Sequence, residues 1–324
     1  MTTATANVPK TRPQTGRGRI SRGDRIFRAL IMAMVGIVLA IFAGVLVVLV
    51  IGAWPAMKRF GPGFVVHSGW DPVHLVFGAL PFVVGTIIVA AGAMILAGGI
   101  GLLTAVCITE LLPPWLQEPV AYLIELLAFI PSVVYGLFGL LVLAPLLQST
   151  VEIWLLTHLG SRFEFFNGSP YGVGYLSAIV ILAIMLVPLI VSLSREALIL
   201  VPRELKEGGY ALGATRWDVV WGISFPYARN GIVGAFVIAL GRALGETMAV
   251  AMTIGGGFRL PTNIMDQGYT LASVIANEFN EVSSQTYLSA LIYCGLILFV
   301  LTVGVNILAY FMIRRLAGIR GFSA

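Results

Sequence analysis

Six apolar stretches divide this chain: Ala29–Ala53, Gly78–Thr109, Val120–Leu147, Gly172–Leu193, Gly231–Gly255 and Tyr287–Ile313. Each exceeds the roughly 20 residues that a helix needs to cross a hydrocarbon core of about 30 Å. The third holds one charged residue, Glu125, and the fifth holds two, Arg242 and Glu246; the rest hold none. A backbone in lipid must satisfy its own hydrogen bonds, so the pattern predicts an all-α, polytopic membrane protein of six transmembrane helices. The first stretch is too long for a signal-peptide core and no small-residue cleavage pattern follows it, so it reads as a retained anchor. Pro131 and Pro188 predict bends in the third and fourth spans.

Composition agrees with a lipid-solvated protein. The 324 residues are 58% hydrophobic and 11% charged, where soluble domains carry about 25% charge. The net charge of +5 does not require a nucleic-acid partner, because position explains it. Fifteen basic residues fall in three places: the N-terminal tail (Lys10, Arg12, Arg17, Arg19, Arg22, Arg25, Arg28), the connection after the fourth span (Arg195, Arg203, Lys206, Arg216, Arg229) and the C-terminus (Arg314, Arg315, Arg320). Four, Lys58, Arg59, Arg162 and Arg259, fall on the opposite side. This bias predicts that both termini are cytoplasmic. The second-to-third connection runs against it, carrying only Glu110 and Glu118. The organisation that follows is a disordered basic tail over 1–28, drawn to anionic lipid, a six-span domain over 29–316 and a short C-terminal tail over 317–324. Trp54, Trp70, Trp154 and Tyr171 lie near span ends, as interfacial aromatics do.

The polar connection within 194–230 contains PRELKEGGYALGATRWDVVWGISFP, residues 202–226. Pro202 suits the start of a helix, and Gly213 can supply the left-handed turn that ends it. Thr215 and Asp218 resemble a capping box for a second helix, in which Trp217 and Trp221 share a face. Pro226 is expected to close the unit. Apolar side chains that can enter a groove, with charges that set register, make this a docking element for a soluble partner. An amphipathic segment lying on the lipid surface is the alternative.

The spacing of Glu207, Gly208, Gly209, Gly213, Ile223 and Pro226 resembles the EAA loop of ABC-importer permeases, with glycines in place of the alanines and Phe225 in place of a leucine. IELLAFIPSVVYGLFGL at 124–140, GRALGETMAV at 241–250 and FGALPFVVGT at 77–86 are similar to the PstC-type permeases of bacterial phosphate-specific ABC transporters, over roughly Gly61 to Arg315. The resemblance implies import of inorganic phosphate across the bacterial inner membrane. It implies a second, PstA-type permease, two PstB-type ATPase subunits and an extracytoplasmic phosphate-binding protein as partners. It also implies ATPase coupling through Glu207, Gly208, Gly209, Ala211, Gly213, Trp217, Ile223 and Pro226. Phe163, Phe165 and Phe166 are possible contacts for the binding protein. The chain itself lacks the Gly-Lys pair of a phosphate-cradling loop, since Lys10, Lys58 and Lys206 follow Pro9, Met57 and Leu205. It is expected to be no enzyme and to need no cofactor.

Arg242 and Glu246, four residues apart, are expected on one face of the fifth helix. A central arginine costs about 2.5–3.5 kcal/mol in a bilayer, so it faces a cavity or a partner. Its planar, permanently charged fork suits phosphate oxygens, and Glu246 can compete for it so that an anion is passed on. A self-neutralising pair that only fixes helix packing is the alternative. Glu125 is a third pathway candidate, as a second partner for Arg242 or as a side chain reaching the interface. Cys107 and Cys294 lie in apolar runs, and His67, His74 and His158 lack metal spacing. A sulfate or molybdate permease, an ion-coupled secondary transporter and a non-transport scaffold remain as other readings.

Overall fold

The structure, a computed structural model, describes residues 22–318 and side chains within 23–311. Most of the predicted tail and the residues past 318 lie outside it, as do the side chains of Lys10, Arg12, Arg17, Arg19, Arg314, Arg315 and Arg320. Two units divide the chain, residues 1–48 and 49–324. In the first, helix α1 (Arg22–Phe60) begins at Arg22, so the predicted disordered tail is at least seven residues too long. No helix breaker follows until Pro55, and Asp24 in the first turn favours the start. The apolar side chains of this part are nearly all exposed.

The second unit is helical throughout its spans. In chain order α1 is followed by α2 (Leu80–Val106), α3 (Pro114–Ala128), α4 (Ser132–Phe138), α5 (Ala144–Leu147), α6 (Ile153–His158), α7 (Tyr175–Ile199), α8 (Arg203–Ala211), α9 (Arg216–Val219), α10 (Phe225–Gly245), α11 (Met248–Thr253), α12 (Leu271–Glu278) and α13 (Gln285–Gly318). Wider π-helical turns extend α2 to Leu111 and join α4, α5 and α6 into one rod. Six helical stretches are long and apolar enough to span: Gly23–Val65, Leu80–Leu111, Ser132–His158, Tyr175–Ile199, Arg216–Gly245 and Gln285–Phe311.

Helices α2 and α7 form the most extensive interface. Ala90, Ala93 and Ala97 of α2 face Ile179, Leu182, Leu186 and Ile190 of α7 in one buried cluster. Lipid gives no hydrophobic drive between helices, so close approach over small residues carries the packing. Gly136 and Gly139 lie against Met252 and Thr253. A second cluster lies at the other end of α7, where Leu198 and Val191 meet Ala105, Ile108, Ala121, Val220 and Ile232.

Two predicted spans are corrected. The third was placed at 120–147; it runs from Ser132 to His158, and residues 114–128 form a separate helix. The reason is Pro131, which has no N–H and disfavours helical backbone at Ile130. The expected bend is a full break. The fifth span starts at Arg216 and stops at Gly245, some ten residues before its predicted end. By contrast α7 continues through Pro188 without interruption. Trp70, predicted at the interface, is buried in an aromatic cluster, 4.9 Å from both Phe77 and Phe82, whereas Trp54, Trp154 and Tyr171 are exposed.

Candidate functional site

The polar connection folds as its residues dictate. Pro202 caps α8, and Gly213 adopts φ +85°, a conformation costly for any residue with a Cβ. Thr215 accepts from the Asp218 backbone N–H at 3.3 Å, and Asp218 accepts in return from the Thr215 N–H at 2.8 Å, completing the capping box. The Trp217 and Trp221 rings stack at 6.2 Å, 11° apart. Gly209 is buried, and a Cβ there would lie 2.6 Å from Cδ1 of Ile223. The glycine therefore permits the seating of Ile223 between α8 and the turn that follows α9. Leu212 is 91% exposed and Trp217 57%; Glu207, Gly208 and Ala211 are exposed as well. Pro226 does not close the unit. It occupies the first turn of α10, and the π turn Val220–Ser224 carries α9 straight into the span. The second half of the elbow is thus rigidly continuous with the fifth span.

At the far end of α10 the expected arrangement of Arg242 and Glu246 does not hold. The helix ends at Gly245, and Glu246 is extended, at φ −68° and ψ 126°. Its Oε1 accepts from the Ala249 backbone N–H at 3.3 Å, so the carboxylate serves the start of α11, where a negative charge is favoured by the helix dipole. A helical i, i+4 face requires unbroken helix between the two residues, and here there is none. Arg242, in the last turn of α10, is exposed. Among the described residues it makes no ion pair with Glu246 or any other carboxylate. The Tyr135 hydroxyl of α4, which donates to the Leu127 carbonyl at 2.8 Å, lies within electrostatic reach of Arg242.

Glu125 lies on α3 rather than in the third span. Its Oε1 accepts from the Ser192 hydroxyl of α7 at 3.3 Å, so it is joined neither to Arg242 nor to bulk water alone. Phe163, Phe165 and Phe166 form an edge-to-face group with Phe163 and Phe165 exposed. Both cysteines are free thiols. Among the described residues no group of three or more His, Cys, Asp or Glu side chains could hold a metal.

Three carboxylates take roles that sequence reasoning missed. Glu110 pairs with Lys206 at 2.6 Å, and Glu118 pairs with Arg195 at 2.6 Å. The acidic connection that ran against the charge bias is thereby the counter-charge of the basic one. Glu152 falls in a stretch read as an outer loop but lies inside the third span, buried, with Oε2 accepting from the Gly172 N–H at 2.9 Å. An ionisable residue at span depth is the signal that marks it, and misplacing the span hid that signal.

Residues 97–318 match the family described as binding-protein-dependent transport system inner membrane component. The phosphate transport system permease protein PstC of Haemophilus influenzae is 42% identical over 301 residues, 92% of this chain and 95% of that protein. The corresponding protein of Mesorhizobium japonicum is 41% identical over 95% of both chains. PstC 1 of Mycobacterium tuberculosis is 36% identical over 82% of this chain and 80% of its own length. Among solved structures, a chain of a bacterial alginate ABC transporter in complex with alginate pentasaccharide-bound periplasmic protein matches with TM-score 0.59 and 18% identity, over 91% of this chain and 96% of that one. A chain of the inward-facing MetNI methionine ABC transporter matches with TM-score 0.55 and 18% identity, over 76% and 99%. At that identity the structural likeness concerns the fold.

Proposed function

From the premise that this chain belongs to the binding-protein-dependent transport system inner membrane components, we propose that it is the phosphate permease subunit of an ABC importer. It is a multi-pass protein of the bacterial inner membrane, and it carries inorganic phosphate into the cytoplasm. Relatives at about 41% identity across almost its whole length are named for phosphate transport, and six spans supply the membrane path.

The finer reading assigns roles to partners and residues. Both termini face the cytoplasm, as the distribution of basic side chains requires. Energy comes from two PstB-type ATPase subunits that grip the elbow through Glu207, Gly208, Gly209, Ala211, Gly213, Trp217, Ile223 and Pro226. A PstA-type permease completes the path, and an extracytoplasmic phosphate-binding protein delivers the anion. The observation that carries the site assignment is Arg242, exposed and, among the described residues, without a carboxylate partner in the last turn of a membrane span. Such a guanidinium cannot face lipid and offers a fork matched to two phosphate oxygens. Glu246 accepts from the Ala249 N–H in this conformation, so competition for the arginine involves release of that hydrogen bond. Glu125, held by Ser192, stands at the pathway's cytoplasmic end.

The test is phosphate uptake by vesicles that contain the assembled complex and internal ATP. Uptake is expected to require ATP and to survive collapse of the proton gradient; the reverse pattern would reject the ABC reading. Excess sulfate or molybdate is expected not to compete. Arg242→Ala is expected to lower uptake by about 10- to 100-fold, as loss of a charge-assisted hydrogen bond implies, with assembly intact. Wild-type uptake by Arg242→Gln would remove the arginine from the path.

A further inference from the structure

Among the described residues, one ion pair ties the elbow's first helix to the membrane body. Within α8, Gly209 packs against Val219 and Ile223, which belong to the same elbow. The tie outside it is Lys206, whose Nζ lies 2.6 Å from Glu110 Oε1, with side chains 20% and 8% exposed. Glu110 sits in the π turn that ends α2. Cavities flank the pair on both sides. One of about 350 Å³ is lined by Thr109, Gln117, Arg195 and Lys206, and one of about 660 Å³ by Glu110, Pro113, Tyr210 and Arg216. The two charges therefore meet across a gap that side-chain packing leaves open.

That choice of chemistry has a consequence. An apolar pair of similar size would hold α8 to the end of α2 at least as firmly. A largely buried ion pair is directional, and pulling it apart separates two charges whose side chains are mostly covered by protein. It resists separation while the open space around it leaves the helices free to tilt. Force on α8 then arrives at α2 rather than being absorbed by deformation of a packed contact. The helix it reaches is the one that shares the most extensive interface with α7. Toward the end of α7, Arg195 is tied to Glu118 of α3 at 2.6 Å.

We propose that Lys206 and Glu110 are positioning residues that form a strut, transmitting displacement of α8 to α2 and so to the α2–α7 core. The proposal rests on the ABC-importer reading above. Neither residue touches the transported anion; they act on it only through the core helices.

The experiment measures phosphate uptake and ATP hydrolysis side by side in vesicles holding the full complex. It compares wild type, Glu110→Gln, Lys206→Met and the reversed pair Glu110→Lys with Lys206→Glu. Each single substitution is expected to lower the phosphate imported per ATP hydrolysed by about tenfold, within the usual range of coupling between sites. Complex assembly and the hydrolysis rate should stay near wild type, and the reversed pair should recover most of the ratio. A wild-type ratio in both single variants overturns the strut. Loss of assembled complex in the single variants, with no recovery in the reversed pair, also overturns it, because the pair would then only hold the fold. Failure of the wild-type sample to import phosphate with ATP overturns the functional reading beneath it, and that failure is visible before any variant is made.

Discussion

Two polar connections flank the fifth span and its continuation: the elbow, residues 202–224, and the outer loop, residues 254–284. They are built on opposite principles. The outer loop is finished by burial. Leu271 and Val274 of α12 are fully buried, and Trp70, Phe77, Phe82, Phe258, Tyr269 and Tyr287 form a continuous aromatic cluster beside it. The Tyr269 and Tyr287 hydroxyls both donate to Glu278, at 3.0 and 2.5 Å. The elbow is finished by two local devices, a glycine turn and a capping box, and by one long-range ion pair, Lys206 with Glu110. Its large apolar side chains, Tyr210, Leu212, Trp217 and Trp221, stay exposed. The outer loop seats Phe258 and Tyr269 among aromatics of neighbouring elements, whereas the elbow leaves its rings out and has a surface still to meet.

The strongest way to break that contrast is to exchange the roles of its tryptophans. Trp70→Ala removes a ring that is 7% exposed, and about 3–5 kcal/mol of folding stability is expected to go with it. Trp217→Ala removes a ring that is 57% exposed and should alter stability by no more than about 0.5 kcal/mol, while weakening capture of the ATPase subunit. Thermal unfolding in detergent and co-purification of the ATPase read the two effects separately. Equal destabilisation by both substitutions would erase the distinction between the connections.

A smaller effect concerns protons. Burial pushes the Asp266 carboxyl up, but hydrogen bonds from the Asn263 and Thr262 backbone N–H groups and from both side chains outweigh it and hold the group below 3.8. A depressed folded-state value stabilises the loop at every pH above the ordinary carboxylate range. That contribution disappears as pH falls through the lowered value. Burial, then the hydrogen bond and charge of Glu278, push the Tyr269 hydroxyl up to about 12, so it remains a donor over the same range. Amide exchange in 262–270 is expected to stay slow down to about pH 4 and to accelerate below it. Asp266→Asn should give fast exchange already at neutral pH, at a cost of about 1–3 kcal/mol. Hydrogen bonds from the Thr215 hydroxyl and N–H hold Asp218 of the elbow below the ordinary carboxylate range too, so the capping box is expected to loosen in the same acid range.

The same contrast explains what could be read along the chain. The elbow was legible because two of its devices are local: Gly213 and the Thr215–Asp218 box act within three or four residues. The second, fourth and sixth spans were legible because uninterrupted apolar length specifies a helix in lipid. The third was not. Residues 120–130 carry one charge, Glu125, and run on in sequence into apolar residues as a span would, and Thr150 and Glu152 look like its exit. In the structure Thr150 donates to the Leu146 carbonyl at 2.5 Å and Glu152 accepts from Gly172, so both polar groups are satisfied inside the helix. The break at Glu246 was hidden for a related reason. A carboxylate that caps the next helix and one that pairs along the same helix have the same spacing in sequence, and only the backbone at Gly245 distinguishes them. Glu110 and Glu118 pair with residues 96 and 77 positions away, beyond the reach of any local pattern.

The gentlest test of the comparison lies in the capping box. Thr215 satisfies the Asp218 N–H and receives the Asp218 carboxylate on both its N–H and its hydroxyl, at 2.8 and 2.6 Å. Thr215→Ala keeps the backbone N–H bond but removes the hydroxyl, and the loss of such a cap costs about 1 kcal/mol. Since α9 runs without interruption into α10, the first turn of a membrane span is then freed to fray while the rest of that span is not. Amide exchange over 216–219 should rise by about fivefold at that cost, with none at the outer loop and little change in overall unfolding. If exchange rose along all of α10 instead, the elbow would be part of the span's own stability rather than a locally built handle.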